Sequence, residues 1–134
     1  MRCVVDASAM VALLVHAGSA SEWVEQMLAG NDLAAPHLLP VEAASALRRN
    51  AAARRLGADQ AARAHQRLLG ARVALFPYAP FAPRVWELRD SISAYDAWYV
   101  ALAEALDAPL ITLDHRLIRA SGPRCAYVVP IPAE

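Results

Sequence analysis

The sequence contains no lysine, so all thirteen of its basic residues other than histidine are arginines. This absence excludes Schiff-base chemistry on a lysine and the lysine-containing phosphate loop of many nucleotide-binding proteins. Net charge is lacking too, because thirteen acidic residues balance the thirteen basic ones. No overall field attracts nucleic acid, and any contact with it has to come from a local basic patch.

Cysteines are scarce, and long apolar runs are missing. Cys3 and Cys125 lie in two predicted strands without the spacing of a metal site, so we expect buried, reduced thiols. The apolar run from Met10 to Val15 imitates part of a signal peptide, but Asp6 interrupts the region. No apolar run reaches the ~18 residues of a membrane span. These features predict a cytoplasmic protein without a membrane segment.

The composition is that of a small protein with a large apolar content. Its 134 residues are enough for one domain with a substantial core, and we expect a single domain over residues 1–134. Hydrophobic residues make up 57% of the chain and charged residues 19%, with a mean hydropathy of +0.27. Because this is apolar for a small soluble chain, we expect a partner to cover part of the surface.

Short apolar runs alternate with helical segments along the whole chain. The five predicted strands cover residues 3–5, 33–35, 73–76, 110–113 and 126–129. The predicted helices cover residues 7–15, 19–28, 40–56, 59–69, 83–88 and 94–106. This alternation predicts an α/β fold with a parallel sheet that has helices on both faces. The pattern alone does not specify the order of the strands.

The stretch 93–114, SAYDAWYVALAEALDAPLITLD, combines a helix and a strand with two acids. The helix is rich in alanine and leucine and is apolar on more than one side, so we expect it to be buried. Asp107 and Pro109 stop it, and the strand that follows ends in Asp114. Ligands of parallel α/β sheets bind beyond the carboxyl ends of the strands, where Asp114 is expected.

Four carboxylates are candidates for a shared site: Asp6, Glu42, Asp96 and Asp114. Each alone is explained by helix capping or by the helix dipole. If they converge at one edge of the sheet, their repulsion requires a cation for neutralisation. Oxygen ligands suit a hard ion such as Mg²⁺ or Mn²⁺. The chemistry typical of such a cluster is metal-assisted hydrolysis, commonly of phosphodiesters.

The chain resembles the PIN-domain ribonucleases of the VapC type, the toxins of bacterial type II toxin–antitoxin pairs. The matching segments are VVDASAMVALL, LLPVEAASALRR, SAYDAWYVALAEALDAPLITLD and the DHRL that continues from it. The resemblance spans the whole chain and implies one PIN domain, a three-layer α/β/α fold with a five-stranded parallel sheet ordered 3-2-1-4-5. It also implies a Mg²⁺-dependent endoribonuclease, usually a homodimer, whose active site a cognate antitoxin covers.

By position within these segments, the resemblance implies that Asp6 and Asp96 are direct metal ligands. Glu42 and Asp114 complete the acidic pocket, where they hold a second ion or orient the attacking water. Ser8 and Thr112 match small hydroxyl positions that bind a metal-bound water or the phosphate of the RNA. Local capping or a strand-end hydrogen bond explains these two hydroxyls equally well.

Arginines are concentrated in the predicted helical hairpin, residues 40–69, and they are the best candidates for contacts with the RNA backbone. They are Arg48, Arg49, Arg54, Arg55, Arg63 and Arg67. The first two carry our prediction of RNA binding. The alternative is a solvated face on which arginines bond the carbonyls at helix ends.

Other functions on a similar sheet are less well supported. A phosphotransfer receiver domain needs a lysine late in the sheet, and the chain has none. A haloacid-dehalogenase-like phosphatase needs a second aspartate two residues after the first, where this chain has Ser8. The remaining alternative is a catalytically silent PIN-like module that binds RNA or a protein without cutting.

Overall fold

A computed structural model of the protein describes residues 1–15, 22, 24–26 and 28–129. Its strands are β1 (Arg2–Val5), β2 (Asp32–Pro36), β3 (Val73–Phe76), β4 (Leu110–Ile111) and β5 (Tyr127–Val128). All pairings are parallel, and the order is β3-β2-β1-β4-β5. The parallel sheet and the implied order 3-2-1-4-5 are therefore confirmed.

The helices are α1 (Ala7–Val15), α2 (Leu39–Ala52), α3 (Ala58–Gly70), α4 (Ala82–Glu87), α5 (Ala94–Leu106) and α6 (His115–Arg119), with a 3₁₀ turn at Ala79–Phe81. The first three pack against one another, whereas α5 packs on β1, β2 and β4, which gives the expected three-layer fold. The predicted helix 19–28 is only partly covered, since residues 19–21, Trp23 and Met27 lie outside the described residues. In the described part of the chain, no helix has the length and apolarity to cross a bilayer.

The core is formed where α5 covers the central strands. Val4, Val5, Leu110 and Ile111 of β1 and β4 are completely buried. The buried residues of α5 face several directions and include Tyr99, Val100, Ala101, Leu102 and Ala103, as its apolar sequence predicted. Each fully buried aliphatic side chain stabilises the fold by about 1.5–3 kcal/mol. Both cysteines are free thiols, Cys3 buried and Cys125 partly buried.

The register of β1 against β4 aligns the ends of the two strands. Val5 pairs with Ile111, and the Asp6 amide donates to the Ile111 carbonyl over 3.1 Å. The ladder ends soon afterwards, because the amide of Leu113 donates to the Ser8 side chain. The strand predicted at 110–113 is therefore shorter than expected. Asp114 lies three residues beyond the end of β4 instead of at it.

The helical hairpin also differs in detail from the prediction. Helix α2 ends at Ala52, not near residue 56, and the chain then adopts a left-handed conformation at Arg54, with φ of 59°. Gly57 does not end α2 but precedes α3, and its amide donates to the Gln60 side chain over 2.9 Å. A side-chain hydrogen bond at the start of a helix satisfies an otherwise unpaired group.

Candidate active site

Asp6 follows β1 directly and caps the N-terminus of α1. Its Oδ1 accepts hydrogen bonds from the Ser8 hydroxyl at 2.6 Å and from the Ala9 amide at 3.0 Å. The residue is only 8% exposed, and burial raises the pKa of its carboxyl. The hydrogen bonds lower that pKa, and the charge of Asp96 raises it again. Asp6 is thus a buried carboxylate with fixed geometry, as its capping position predicted.

Asp96 lies in the first turn of α5. The side chain of Ser93 caps this helix by accepting the Asp96 amide proton over 3.2 Å, which fixes the backbone there. Burial raises the pKa of the Asp96 carboxyl, and the charge of Asp114 adds to the effect. Asp96 and Asp114 both line a cavity of about 280 Å³. The two carboxylates therefore border one shared space at the carboxyl edge of the sheet.

Asp114 caps the short helix α6 at the end of the loop after β4. Its Oδ1 accepts the Arg116 amide proton at 2.9 Å, and its own amide donates to the Thr112 hydroxyl at 3.0 Å. The guanidinium of Arg116 lies 3.7 Å from the same Oδ1. That side chain is 88% exposed, so the ion pair is a weak constraint.

Glu42 projects from the first turn of α2 towards the same edge. With Ser8 and Arg49 it lines a groove of about 380 Å³, which we call the acidic groove. Burial raises the pKa of the Glu42 carboxyl, and the charges of Asp96 and Asp6 raise it further. Among the described residues, the buried Oε1 of Glu42 has no hydrogen-bond partner. The nearby Tyr99 hydroxyl lowers the pKa of Glu42, so a donor lies beside this carboxylate although no hydrogen bond of normal geometry forms between the two.

These electrostatic effects link the four acids into one cluster. The charge of Asp96 raises the pKa of Asp6, the charges of Asp96 and Asp6 raise that of Glu42, and the charge of Asp114 raises that of Asp96. That the four acids form one catalytic site stays a prediction. Asp6, Glu42 and Asp96 each have a raised pKa, which means that the folded protein favours protons or a cation at this edge.

The donor set fits a hydrated hard cation better than a closed protein cage. Within the described ranges, no group of three His, Cys, Asp or Glu side chains is arranged to hold a metal ion. Mg²⁺ does not require such a group, since it usually keeps several waters and binds one or two carboxylates. The cluster consists of oxygen donors, and one of them, Glu42 Oε1, lacks a partner. These features match the chemistry of Mg²⁺ or Mn²⁺.

Two residues near the acids have no assigned role in the sequence prediction. Tyr99 is 2% exposed, and burial together with Glu42, Asp6 and Asp96 raises the pKa of its hydroxyl. This hydroxyl faces Glu42, yet it makes no hydrogen bond of normal geometry within the described residues. The signal was its position one turn after Asp96 on the same helix. The second is Arg116, whose charge lowers the pKa of Asp96.

The predicted RNA-contact residues take different positions. Ser8 and Arg49 line the acidic groove, whereas Arg48 is exposed outside it. Thr112 is completely buried, and its hydroxyl accepts from the Asp114 amide and interacts with Asp6. Its burial favours the alternative explanation, a strand-end hydrogen bond that helps to position the acids, over a direct contact with RNA. Ser8 also orients an acid, but it reaches the groove.

One arginine of the helical hairpin follows the alternative explanation. Arg67 donates from Nη1 to the Leu14 carbonyl near the end of α1, over 2.6 Å. An arginine that bonds a carbonyl at a helix end stabilises that end. Arg67 therefore joins α3 to α1, and we do not include it in a basic surface for RNA.

Residues 3–123 match the family model of the PIN domain. The chain belongs to the PIN-domain family. Two relatives of this PIN domain are ribonucleases of Mycobacterium tuberculosis. VapC9 is 44% identical over 126 residues, which cover 94% of this chain and 96% of the relative. VapC1 is 40% identical over 124 residues, which cover 92% of this chain and 93% of the relative. At this identity and coverage, the chain is placed in the VapC group of the family.

A solved structure supports the fold of this PIN domain independently. VapBC2 from Rickettsia felis, bound to a DNA fragment from their promoter, superposes with a TM-score of 0.70. The match covers 98% of this chain and 100% of that chain, at 17% sequence identity. This structure supports the fold alone, whereas the family model and the two relatives confirm the resemblance to PIN-domain proteins of the VapC type.

Proposed function

We propose that this PIN domain is a Mg²⁺-dependent endoribonuclease, the toxin of a toxin–antitoxin pair. The observation that carries the proposal is the cluster of Asp6, Glu42, Asp96 and Asp114 at the carboxyl edge of the sheet, with three pKa values raised. Relatives called ribonucleases at 40–44% identity support RNA as the substrate. We further propose that residues 1–134 act as one domain.

In this proposal, Asp6 and Asp96 hold the cation, with Mn²⁺ as a substitute for Mg²⁺. The ion would supply an activated water and stabilise negative charge on the phosphate oxygens. Ser8 fixes the orientation of Asp6 through its 2.6 Å hydrogen bond. Glu42, whose Oε1 lacks a partner among the described residues, orients the attacking water, and Asp114 completes the acidic pocket.

Hydrolysis joins the water oxygen to phosphorus and releases one RNA fragment as an alcohol, which takes up a proton. A trigonal-bipyramidal phosphorus carries more negative charge on its oxygens than the substrate does, so nearby cations favour it. Arg49 lies in the acidic groove, and Arg116 lies beside Asp114. We assign both to the phosphate backbone, with Arg49 as the closer candidate because it lines the groove.

The proposed partners follow from the same assignment. A cognate antitoxin is the proposed inhibitor, and we propose that it covers the acidic groove; the solved VapBC2 structure supports a partner of this kind. We also propose a homodimer and a location in the cytoplasm, where the RNA substrate is found. The second candidate function is a silent module that binds RNA or a protein without cutting. The acids with raised pKa values favour the enzyme, because a module that only binds RNA, a polyanion, gains nothing from carboxylates that repel it.

The test is cleavage of total RNA by the purified full chain, free of antitoxin. The reactions contain Mg²⁺, Mg²⁺ with excess EDTA, or Mg²⁺ with the Asp96→Asn variant. Asp90→Asn, an exposed acid in the turn before α5, is the matched control. We expect discrete cuts that require Mg²⁺, persist in Asp90→Asn and fall by at least about 100-fold in Asp96→Asn, the lower end of the loss seen when one group that stabilises transition-state charge is removed.

Cleavage that persists in a folded Asp96→Asn variant would contradict the assignment of the site. If no RNA is cut but Mg²⁺ still binds the wild type and not the variant, the pocket is a metal site without nuclease activity. In that case the binding-module alternative replaces the proposed enzyme.

A further inference from the structure

An aromatic cleft lies next to the acidic groove and has no role in the mechanism proposed above. We define the aromatic cleft as the cavity of about 280 Å³ lined by Leu38, Tyr78, Ala94, Tyr95 and Trp98. Tyr95 is 60% exposed and Tyr78 is 43% exposed, which is unusual for large aromatic side chains. Exposed aromatic rings around a cavity indicate a surface that binds a ligand.

The rings of the cleft are held in a defined arrangement. Tyr78 and Trp98 meet edge to face, with centroids 5.3 Å apart and planes at 87°. This edge-to-face geometry is favourable for aromatic pairs, and in it only one of the two rings contributes its face to the contact. The Trp98 Nε1 is buried without a hydrogen-bond partner among the described residues. Because this atom is buried, what the cleft offers a ligand is the exposed aromatic surface of Tyr78 and Tyr95.

The cleft and the acidic groove adjoin each other. Leu38 and Tyr95 line both of them, and the groove also contains Glu42 and Arg49. Tyr95 directly precedes Asp96 in the chain. We consider an RNA strand with one phosphate at the acids and its backbone beside Arg49. A base next to that phosphate then lies near Tyr95.

The size of the cleft indicates what occupies it. Its volume lies just under the ~300–1,000 Å³ of pockets for drug-sized ligands, so it accepts one small planar group. A partner helix, about 10–12 Å wide with several anchor residues in a row, requires a longer groove. Aromatic side chains stack well on the faces of unpaired bases, whose edges accept or donate hydrogen bonds. The chemistry of the cleft therefore favours a nucleobase.

We propose that the aromatic cleft binds one unpaired base of the RNA strand that is cut at the acids. The inference rests on the proposed function and specifies its substrate class: RNA with an unstacked base beside the scissile phosphate, in a single strand or a loop. Base-paired RNA is excluded, because its bases stack within the helix and do not reach the ring of Tyr95.

The experiment measures RNA binding without cleavage. The protein carries Asp6→Asn, which prevents cleavage but keeps an Oδ1 acceptor for Ser8 and Ala9. It is titrated into a labelled single-stranded RNA of about five nucleotides, a length near the lower limit of known single-strand binding sites. Companion RNAs each lack one base. Tyr95→Ala removes the ring, and Tyr95→Phe retains it. Trp86→Ala is the matched control, since Trp86 is 67% exposed outside the cleft.

We expect Tyr95→Ala to raise the Kd about 5- to 150-fold, the range measured when one stacking side chain is removed. Tyr95→Phe and Trp86→Ala should change it less than about twofold. The RNA that lacks the stacking base should bind equally well to the Asp6→Asn protein with Tyr95 and to the same protein with Tyr95→Ala, because the contact is already missing. Tyr78→Ala, a second cleft variant, should behave like Tyr95→Ala.

Unchanged RNA affinity in folded Tyr95→Ala and Tyr78→Ala would overturn the proposal. So would a loss that appears only with the cognate antitoxin, which would make the cleft a protein-binding site. A loss of equal size with every RNA that lacks a base would also overturn it. The measurement does not depend on cleavage. If the protein shows the expected base dependence but never cuts RNA, the result supports base binding by the cleft and contradicts the proposed ribonuclease activity.

Discussion

The Ser8 hydroxyl joins Asp6 to the loop that carries Asp114. It donates to Asp6 Oδ1 over 2.6 Å and accepts from the Leu113 amide over 3.0 Å. One side chain therefore connects residues that are more than a hundred positions apart in the sequence. The hydroxyl lowers the pKa of Asp6, in opposition to the burial that raises it. Ser8 thus helps to keep this carboxylate ionised and ready for a cation.

We expect Ser8→Ala to weaken both the fold and the cation site. The Leu113 amide loses its partner, which costs about 1–3 kcal/mol of unfolding free energy, and the pKa of Asp6 rises further. Mg²⁺ affinity, measured by calorimetry, should fall and should recover partly at higher pH. Ser45→Ala, in the same groove, is the control and should change stability by less than about 0.5 kcal/mol. Equal behaviour of the two variants would contradict this role of Ser8.

The raised pKa values of Asp6, Glu42 and Asp96 predict an unusual pH dependence of stability in EDTA. A carboxyl with a higher pKa in the folded state binds more protons there, so its contribution is lost as the pH rises through that pKa. Without metal, lowering the pH from neutral towards the ordinary pKa range of a carboxyl should therefore raise the melting temperature. Excess Mg²⁺ should reduce this dependence, because the cation competes with protons.

Asp96→Asn provides the check on this explanation, since it removes a charge that repels the other acids. In EDTA near neutral pH it should melt about 2–5 °C above the wild type. The pH dependence should become weaker, and Mg²⁺ should no longer stabilise the protein. An Asp96→Asn variant that melts below the wild type in EDTA would show that the acids do not repel one another appreciably.

Neighbouring arginines of α2 should differ in their contribution to RNA binding. Arg49 lines the acidic groove and Arg48 is exposed outside it. A phosphate contact releases about one counterion, so Arg49→Ala should reduce the slope of log affinity against log salt by about 1. Arg48→Ala should change the slope by clearly less. The measurement is a salt titration of RNA binding, and equal slopes for the two variants would refute a specific role of Arg49.

The network of Arg84 and Glu104 should contribute to the stability of the fold but not to RNA cleavage. Arg84 donates to both carboxylate oxygens of Glu104, at 2.7 and 3.1 Å, and to the Gly122 carbonyl at 2.9 Å. We expect Arg84→Ala to reduce the unfolding free energy by about 1.5–3 kcal/mol, because it leaves a partly buried carboxylate with fewer donors. Arg84→Lys should restore little, since an ammonium lacks the planar fork.

Denaturant unfolding measures this effect, and Arg89→Ala is the control. Arg89 is exposed and stacks on Trp86, with 4.8 Å between its Cζ and the ring centroid. A surface contact of this kind contributes at most about 1 kcal/mol. RNA cleavage by the surviving folded protein should be unchanged in both variants, since the acids are not part of this network. Loss of cleavage in folded Arg84→Ala would disprove that separation.

The sequence was sufficient to predict the fold because its local and global signals agree. Helix 94–106 has no glycine or proline, and Asp107 stops it in a left-handed conformation, with φ of 49°. The alternation of strands and helices predicted the parallel sheet. The candidate acids were also recognisable, because each follows a strand or begins a helix. Capping positions are local properties of the chain and can therefore be found in a single sequence.

Features that depend on distant contacts were not predictable. The end of β4 is set by the bond between Leu113 and Ser8, and nothing near residue 113 in the sequence indicates it. The separation of Arg49 from Arg48 depends on the rotation of α2 relative to the sheet. The burial of Thr112 depends on tertiary contacts, among them the bond from its amide to the Val128 carbonyl of β5. Such relationships arise only when the tertiary structure forms.

The pairing of β1 with β4 has a consequence for biosynthesis. Asp6 is translated more than a hundred codons before Leu110 and Ile111, and Val4 and Val5 cannot pair with those residues until they have been made. A nascent chain without this segment lacks Asp114 and the partner of Ser8. Contacts between such distant segments form late, because closing the long loop has to precede them. A ribosome that has not yet translated Leu110 therefore carries a chain whose acidic cluster is incomplete.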